Sequence, residues 1–302
     1  MPPFVSTPTL DCKLLAASDL QDGAAVRMAA RNGQWAQSTS GVADTYLQAN
    51  LVVLPSRYAN DFRGLCARNP VPCPLIAESA NPGDFSNLKS YLSRISNRDL
   101  AANLDIRTDC PRYNVYSGPR LVHGPVNDIL SQWSDDHVAF VIGCSQSFES
   151  ALVRAGLTIR HLDQGRTVPM YRTNVALNPS GIFFGSTYVV SMRPFKSQDI
   201  DLVREITRRY LPTHGEPIAW GWDALEKLGI KNIDMVQWGH APQTTEGKPL
   251  STVLGDDDNI PVFWGCGVTP QAAIMEANLE GTIMAHYPGE MLFMDCREDD
   301  VL

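Results

Sequence analysis

The stretch FVIGCSQSFESALVRAGLTIRH (140–161) and the stretch VFWGCGVTPQAAIMEANLEGTIMAH (262–286) share one order of residue types. Each runs from an apolar segment through Gly-Cys into a segment with helical spacing, and each ends in a second segment closed by histidine. This order predicts a buried strand, a tight turn, a helix and a second strand. Residues 47–79 predict a third unit of this kind. Repeated strand–helix–strand units favour a mainly parallel sheet with helices on both faces.

The segment 163–212 differs from these units, because Gly, Pro and Asn are frequent in it. It also contains a predicted strand (186–195) and an amphipathic helix (199–211). We therefore predict an α/β protein with a smaller α+β domain. We also expect a helix over 85–96 and a short helix over 126–133. The expected divisions are an N-terminal helical segment, a main α/β domain in two parts, and a smaller α+β lobe that contributes to the site: 1–40, 41–135 with 213–302, and 136–212.

The composition and charge narrow the class of protein and its expected partners. The 302-residue chain has 44% hydrophobic and 19% charged residues, which is typical of a globular protein. Its net charge is -8, whereas nucleic-acid-binding domains are usually basic. It contains no apolar run of the roughly 20 residues that cross a bilayer, and its start does not resemble a secretory signal. We therefore expect neither nucleic acid nor a membrane as a partner.

Cysteine usage and missing motifs narrow the chemistry. The seven cysteines are irregularly spaced and include no CxxC pair, which favours reduced thiols. We expect a cytoplasmic protein, with the mitochondrial matrix as an open alternative. The motifs of dinucleotide sites, P-loops, zinc proteases and serine nucleophile elbows are absent, and no residue set has zinc spacing. We therefore predict no cofactor and no metal. The cysteines are Cys12, Cys66, Cys73, Cys110, Cys144, Cys266 and Cys296.

Cys144 and Cys266 occupy the same slot in the two opening stretches, just after a strand and just before a helix. In a parallel sheet this is the edge that binds ligands. Free N–H groups at a helix start lower the pKa of a thiol and can hold a carboxylate. We therefore predict that both thiols are catalytic, with His161 as a proton carrier. The alternative, that both thiols only fill space in the core, stays open.

Polar residues in expected loops suggest a site for a small anion. Arg107, Arg172 and Arg193 are candidates for holding a carboxylate, because guanidinium groups pair with carboxylates through two hydrogen bonds. Each of them has an alternative interpretation as a surface or structural ion-pair residue. The remaining candidates for substrate binding are Ser145, Tyr171, Asn174, His214, Thr269 and Gln271.

Longer motifs carry a family resemblance that spans roughly residues 42–295. In chain order they are LQANLVVLP (47–55), RNPVPCPL (68–75), DIRTDCPRYNVY (105–116), FVIGCSQSFE (140–149), RHLDQGRTVPMYRTN (160–174), VVSMRP (189–194) and PVFWGCGVTPQAA (261–273). Together they resemble the hydro-lyase family that is also described as D-glutamate-cyclase-like. The resemblance implies an α/β fold with a smaller α+β domain and a lyase that releases water. A mitochondrial relative is described as cyclising D-glutamate to 5-oxo-D-proline.

Three positions depart from the family pattern. The motif expected as PGHM reads PGEM here, with Glu290 in place of histidine. Ala219 stands where a histidine usually follows HGxP, and Gln146 stands where an aromatic residue is more usual. We therefore expect a divergent member. If either histidine acts in the chemistry of relatives, that chemistry is altered here.

Three functions agree with these observations. The first is a hydro-lyase acting on a small amino or hydroxy acid, in its specific form the cyclisation of D-glutamate to 5-oxo-D-proline. The second is a cofactor-independent racemase or epimerase that uses Cys144 and Cys266 as base and acid. The third is a non-catalytic protein that binds a small carboxylate. In each case the expected partner is a small anionic molecule, and a homo-oligomer is left open.

Overall fold

The computed structural model describes residues 14–302, so Cys12 and the first residues of the predicted 1–40 segment lie outside the described residues. The strands are β1 (Tyr46–Pro55), β2 (Leu75–Ser79), β3 (Leu88–Ser90), β4 (Tyr113–Ser117), β5 (Arg120–Val126), β6 (His137–Gly143), β7 (Met170–Ala176), β8 (Thr187–Phe195), β9 (Ala219–Trp220), β10 (Ile260–Gly265), β11 (Thr282–His286) and β12 (Leu292–Arg297). The α-helices are α1 (Gly23–Arg31), α2 (Ala59–Arg68), α3 (Asn97–Leu100), α4 (Glu149–Arg154), α5 (Arg160–Asp163), α6 (Ile200–Thr207), α7 (Ala224–Lys227) and α8 (Val268–Glu276).

The strands form two sheets whose neighbours are antiparallel. The larger sheet has the order β3-β2-β6-β1-β11-β4-β5, and β12 also pairs with β1. The smaller sheet has the order β7-β8-β10-β9. Every strand pair in these two sheets is antiparallel. The α/β class is confirmed in its coarse form, but the prediction of a mainly parallel sheet was wrong.

The helices explain this error, because they carry the chain from one sheet to the other. After β6 of the larger sheet, α4 and α5 lead to β7 of the smaller sheet. After β10 of the smaller sheet, α8 leads to β11 of the larger sheet. A strand–helix–strand pattern predicts a parallel pair only where both strands join the same sheet.

Several local predictions were also wrong. The expected strand at 158–162 is the helical turn α5, since an apolar residue on each side of Arg160 and His161 suits one helical turn as well as a strand. The expected helix over 85–96 contains β3 instead, and 126–133 forms no helix. The strands β1, β8, β10 and β11 and the helices α2, α6 and α8 lie where they were predicted.

The central strand β1 positions the region between the sheets. Leu47, Leu51 and Val53 point into one core cluster, and Val52 and Leu54 point into another, so both faces of the strand are buried. This explains why β1 reads as an almost continuous apolar run. Since side chains alternate along a strand, Asn50 faces the same side as Val52 and Leu54. That side also carries residues of α8.

The two sheets use different parts of the chain. Strands β1 to β6 and then β11 and β12 belong to the larger sheet, whereas the consecutive strands β7 to β10 form the smaller one. Membership of a sheet does not itself define a domain, so the expected domain boundaries remain a proposal. Between residues 14 and 302, no helix combines the length and the apolar character needed to cross a membrane.

Candidate active site

Two turns of the chain meet between the sheets. We call residues 143–149 the β6 junction and residues 265–271 the β10 junction. Asn50 Nδ2 donates a hydrogen bond of 3.0 Å to the carbonyl oxygen of Gly143 in the β6 junction. The same amide lies so close to Gly267 of the β10 junction that a Cβ there would collide with it. Asn50 therefore lies between the two junctions and contacts both.

The glycine before Cys144 permits a second close approach. A Cβ on Gly143 would collide with the backbone carbonyl of Pro212. The chain beside it turns at His214, whose φ of +88° is unusual for a residue with a side chain. Strained backbone of this kind clusters at functional sites. The glycine thus brings His214 against the β6 junction.

The ring of His214 is buried and neutral. It is 1% exposed, and its Nδ1 lies 2.7 Å from the carbonyl oxygen of Val71. Because a carbonyl only accepts, Nδ1 carries the proton and Nε2 is left with a lone pair. Burial lowers the pKa of His214 to about 4 in spite of the backbone carbonyls near the ring. His214 Nε2 is therefore a buried acceptor that has no hydrogen-bond partner among the described residues.

The pKa values of the two junction thiols differ from the sequence-based expectation. Cys144 and Cys266 are buried, and burial raises the pKa of Cys144 to about 12 and that of Cys266 to about 11. Hydrogen bonds from the backbone at Gln146 and Val268 act in the opposite direction and are the smaller effect. The predicted lowering of the thiol pKa was therefore wrong, because the cost of desolvating a thiolate exceeds the help from the helix start. Both thiols carry a proton at neutral pH.

The thiols are electrostatically linked to each other and to one buried cation. A negative charge on Cys266 raises the pKa of Cys144, and the positive charge of Arg193 lowers the pKa of both. Such effects require proximity in a buried setting. The β6 junction and the β10 junction therefore belong to one site.

Arg193 is the fixed cation of this site. Its side chain is fully buried, and Nε donates a hydrogen bond of 2.7 Å to Glu149 Oε1. Nη2 donates to the same oxygen and to Ser145 Oγ, the latter at 3.1 Å. Nη1 donates to Ser191 Oγ at 3.1 Å. These contacts occupy most of the five N–H donors of the guanidinium.

Glu149 joins Arg193 to His161. Its Oε1 lies 3.3 Å from His161 Nε2, and both side chains are buried. Burial alone raises the pKa of Glu149, but the charges and hydrogen bonds of Arg193 and His161 outweigh it, so the pKa lies below its ordinary value. Glu149 is therefore an anion whose Oε1 contacts both a cation and an imidazole. The His161 Nε2 contact does not have the geometry of a hydrogen bond, so Glu149 acts on His161 mainly through its charge.

The structure brings half of the predicted site residues into one cluster of contacts, and the other half have contacts outside it. The residues of the cluster are Cys144, Ser145, His161, Arg193, His214 and Cys266. The residues with contacts outside it are Arg107, Tyr171, Arg172, Asn174, Thr269 and Gln271, of which Thr269 and Gln271 still belong to the β10 junction.

Two of the three candidate arginines pair locally. Arg107 donates to Asp105 at 2.8 Å and stacks over Phe85, with its guanidinium carbon 3.3 Å from the ring centroid. Arg172 forms a partly exposed ion pair with Glu276. Both contacts agree with the alternative interpretation of these arginines as structural or surface residues.

The other four residues outside the cluster have contacts of their own. Tyr171 is buried and donates to the carbonyl oxygen of Ile233 at 2.6 Å, and Asn174 is exposed. The Thr269 hydroxyl exchanges hydrogen bonds with the Val189 backbone and so anchors α8 to β8. Gln271 Nε2 lies 3.0 Å from Nδ1 of His286, which is buried on β11.

Three residues of the cluster were not found from the sequence: Asn50, Glu149 and Ser191. Asn50 is the polar residue in the middle of an apolar strand, and a buried polar group needs a partner. Ser191 precedes Arg193 by two positions on β8, so both side chains point to the same face. These two signals were present in the sequence. Glu149 has no comparable signal, since an acidic residue in the first helical turn is common.

Comparison with known proteins assigns the family. A family model described as D-glutamate cyclase matches residues 138–295, which include every cluster residue except Asn50. The chain belongs to the D-glutamate cyclase family.

Relatives named "Putative hydro-lyase" extend the match over most of the chain. A Schizosaccharomyces pombe protein is 39% identical over 94% of this chain and 88% of its own length. A Bradyrhizobium sp. (strain ORS 278) protein is 46% identical, with 87% of each chain covered. A Rubrobacter xylanophilus protein is 42% identical over 89% of this chain and 93% of its own length. Membership of the D-glutamate cyclase family and these names support a lyase.

The three residues that depart from the expected family pattern, Glu290, Ala219 and Gln146, lie in different parts of the structure. Glu290 is buried and forms an ion pair with Arg112, which stacks over the ring of Tyr287. Ala219 lies on the short strand β9 beside β10. Gln146 is buried in the β6 junction. Of the three departures, Gln146 therefore lies within the candidate site.

The described part of the chain gives no metal-binding arrangement to add to this site. Among residues 14–302, no group of three or more His, Cys, Asp and Glu side chains is placed to hold a metal ion. Several polar groups of the cluster contact one another instead, among them Arg193, Glu149 and Ser145.

Proposed function

We propose that this member of the D-glutamate cyclase family is a hydro-lyase that cyclises D-glutamate to 5-oxo-D-proline. The observation that carries the proposal is the buried cluster of Cys144, Glu149, His161, Arg193 and Cys266 within the family-matched region. The cluster combines an imidazole beside a carboxylate with two protonated thiols. Those are the groups that an intramolecular dehydration needs.

The reaction balances without an external reagent. The α-amine nitrogen attacks the carbon of the side-chain carboxyl, so an N–C bond forms and one C–O bond breaks. The ammonium group loses two protons in becoming a lactam N–H. The departing oxygen takes up two protons and leaves as water. The protein therefore has to move protons from nitrogen to oxygen and to hold the flexible substrate in a folded conformation.

The cluster residues divide these tasks. His161 takes a proton from the amine, and the anionic Glu149 stabilises the imidazolium that forms. The thiols of Cys144 and Cys266 donate hydrogen bonds to the oxygen that develops charge and then leaves. Arg193 fixes Glu149 and Ser145 and does not itself have to touch the substrate.

The thiol pKa values favour this reaction over the racemase alternative. A two-cysteine racemase needs one thiolate as base and one thiol as acid. With pKa values of about 12 and about 11, the fraction of thiolate at neutral pH is very small for both residues. Protonated thiols suit proton donation to a leaving oxygen.

Incubation of the purified protein with D-glutamate tests the proposal. We expect 5-oxo-D-proline, separated by chiral chromatography, to form faster than in buffer and faster than from L-glutamate. Cys144→Ser, Cys266→Ser and His161→Gln should each lower kcat by about tenfold to a thousandfold. Cys296→Ser is the matched control, because Cys296 is equally buried but lies in another core cluster.

Each other outcome removes a defined part of the proposal. Absence of product above the buffer rate removes the cyclase. Full activity in both junction variants removes the role of the thiols. Deuterium uptake at the substrate Cα in D2O, without cyclisation, supports the racemase instead. Thermal stabilisation by D-glutamate with neither product nor exchange supports a binding protein.

A further inference from the structure

A cleft beside His161 remains unexplained by the cluster. The space inside it is small, about 20 Å³ for the centre of a water molecule, so it can admit one small group of a ligand rather than a whole small molecule. One wall consists of residues of α5 and the loop after it, and another consists of Met192 and Pro194 of β8. The buried ring of His161 lines the cleft and at the same time contacts Glu149. The cleft is therefore adjacent to His161, the residue proposed to transfer a proton.

The cleft contains two arginines that lack an acidic partner. Arg160 Nη1 donates to the carbonyl oxygen of Gln243 at 3.3 Å, and Arg166 Nη2 donates to that of Ala241 at 3.0 Å. Within residues 14–302, neither arginine forms an ion pair. Arg160 Nε is buried without a hydrogen-bond partner among the described residues. Partly buried arginines are normally paired, so these two have donors available for an anion.

The charged and titratable groups around the cleft are consistent with an anion site. Glu246 and Asp256 influence Arg160 electrostatically but lie beyond ion-pair distance. His240 Nδ1 accepts a hydrogen bond of 2.9 Å from the backbone N–H of Thr167, so its Nε2 carries the proton and can donate. Arg160, Arg166 and His240 therefore all line one small space and retain N–H groups that have no acidic partner.

The cluster has no free cation for the second carboxylate of the substrate. D-glutamate has two carboxylates, and only the side-chain carboxylate reacts. The other one needs a cation, but the cluster's cation Arg193 already donates to Glu149, Ser145 and Ser191. A second cationic subsite beside His161 would supply that charge.

We infer that the cleft lined by Arg160, Arg166 and His240 binds the non-reacting carboxylate of the substrate. This inference rests on the proposed function and names the groups that would give it specificity for a dicarboxylate. A carboxylate held by paired guanidinium donors is fixed in orientation as well as position. The amine and the reacting carboxyl group would then be presented towards His161 and the thiols.

Binding of glutarate tests the subsite independently of turnover. Glutarate has both carboxylates but no amine, so it cannot cyclise. By calorimetry on the full chain we expect saturable binding to the wild type, and Arg160→Gln and Arg166→Gln should each weaken it by about tenfold or more. Arg209→Gln removes an equal charge at an exposed position and should bind glutarate like the wild type. Arg160→Lys should fall between the two, since lysine keeps the charge and loses the planar fork.

Two results overturn the subsite: no saturable glutarate binding to the folded wild type, or equal binding by the wild type and both glutamine variants. Circular dichroism establishes that the variants are folded. If the wild type forms 5-oxo-D-proline, Arg160→Gln and Arg166→Gln should raise KM more than they lower kcat, and an unchanged KM refutes the subsite but not the cyclase. If the wild type forms no product but loses glutarate binding in these variants, the cyclase fails and the subsite stands.

Discussion

The β6 junction and the β10 junction both begin with a Gly-Cys pair, but the side chains that follow the cysteine make different contacts. The fifth residue after the cysteine is Glu149 in one and Gln271 in the other. Each contacts a histidine. Glu149 Oε1 lies 3.3 Å from His161 Nε2, and Gln271 Nε2 lies 3.0 Å from His286 Nδ1. The first contact involves a carboxylate, and the second involves a neutral amide.

The surroundings of the two cysteines also differ in polarity. Cys266 belongs to an apolar cluster that includes Met170, Val189 and Ala272. Cys144 lies beside the fully buried Arg193 and its polar partners. The carboxylate Glu149 is accompanied by a buried cation, whereas the amide Gln271 is not. Under the proposed function, proton transfer belongs to the β6 junction, and the β10 junction contributes one further donor, the thiol of Cys266.

Exchange of the carboxylate for an amide should have the largest effect. Glu149→Gln gives the β6 junction the side chain of the β10 junction and leaves Arg193 buried without a counter-charge. We expect the free energy of unfolding to fall by about 3–5 kcal/mol in urea titrations at pH 7. Gln271→Ala removes a neutral hydrogen bond and should cost about 1 kcal/mol.

A double variant sharpens this result. In Glu149→Gln/Arg193→Met the buried cation is removed as well, so a large part of the loss should be recovered. Equal losses in Glu149→Gln and Gln271→Ala would contradict the distinction between a charged and a neutral junction. A double variant as unstable as the single one would show that the loss does not arise from the unpaired charge.

The buried histidines should produce the next largest effect, which depends on pH. Burial lowers the pKa of both His214 and His286 to about 4, whereas an unfolded chain binds the proton near about 6.5. As pH falls from about 6.5 to about 4, the unfolded state gains protons that the folded state does not bind. Stability present above about pH 6.5 is therefore lost over this window, by up to about 3 kcal/mol for each histidine.

Unfolding titrations at a series of pH values check this dependence. His214→Asn and His286→Gln should each reduce the slope of stability against pH between about 6.5 and about 4 by close to one proton. Asparagine is chosen for position 214 because it tolerates the left-handed backbone there. His123→Gln alters an exposed histidine on β5 and serves as the control. An unchanged slope in both variants would mean that neither imidazole is held neutral by burial.

The sequence predicted local features well and long-range pairing poorly. The Gly-Cys turns and the strands that precede them lie at the predicted positions, because turn residues and apolar runs are local signals. The mainly parallel orientation of the strands was predicted wrongly. This orientation depends on partners far along the chain, as in the pairing of β1 with β11 and β12.

The candidate site shows the same limit. Arg193 was one of three arginines given equal weight as candidates for holding a carboxylate, and its partner Glu149, which is 44 residues away, was not identified. The thiol pKa was predicted with the wrong sign. The helix start is visible in the sequence, whereas the extent of burial follows only from the packing of two sheets.

The glycines of the two junctions should give the smallest effect and the most direct test of how the junctions meet. In Gly143→Ala the new methyl group would collide with the Pro212 backbone carbonyl, which cannot move without shifting the turn at His214. We expect a loss of about 2 kcal/mol in urea titrations. In Gly267→Ala the methyl group would meet the side-chain amide of Asn50, which can rotate away and lose its hydrogen bond to Gly143. The expected loss is about 1 kcal/mol.

Removal of the Asn50 amide separates the two explanations. In an Asn50→Ala background there is neither a side chain to meet nor a hydrogen bond to lose, so Gly267→Ala should cost little more. Gly143→Ala should cost as much in that background as in the wild type, since the Pro212 carbonyl is still present. If Gly267→Ala remained as costly without the amide, the β10 junction would be constrained by something other than Asn50. The two junctions would then not be held together through this side chain.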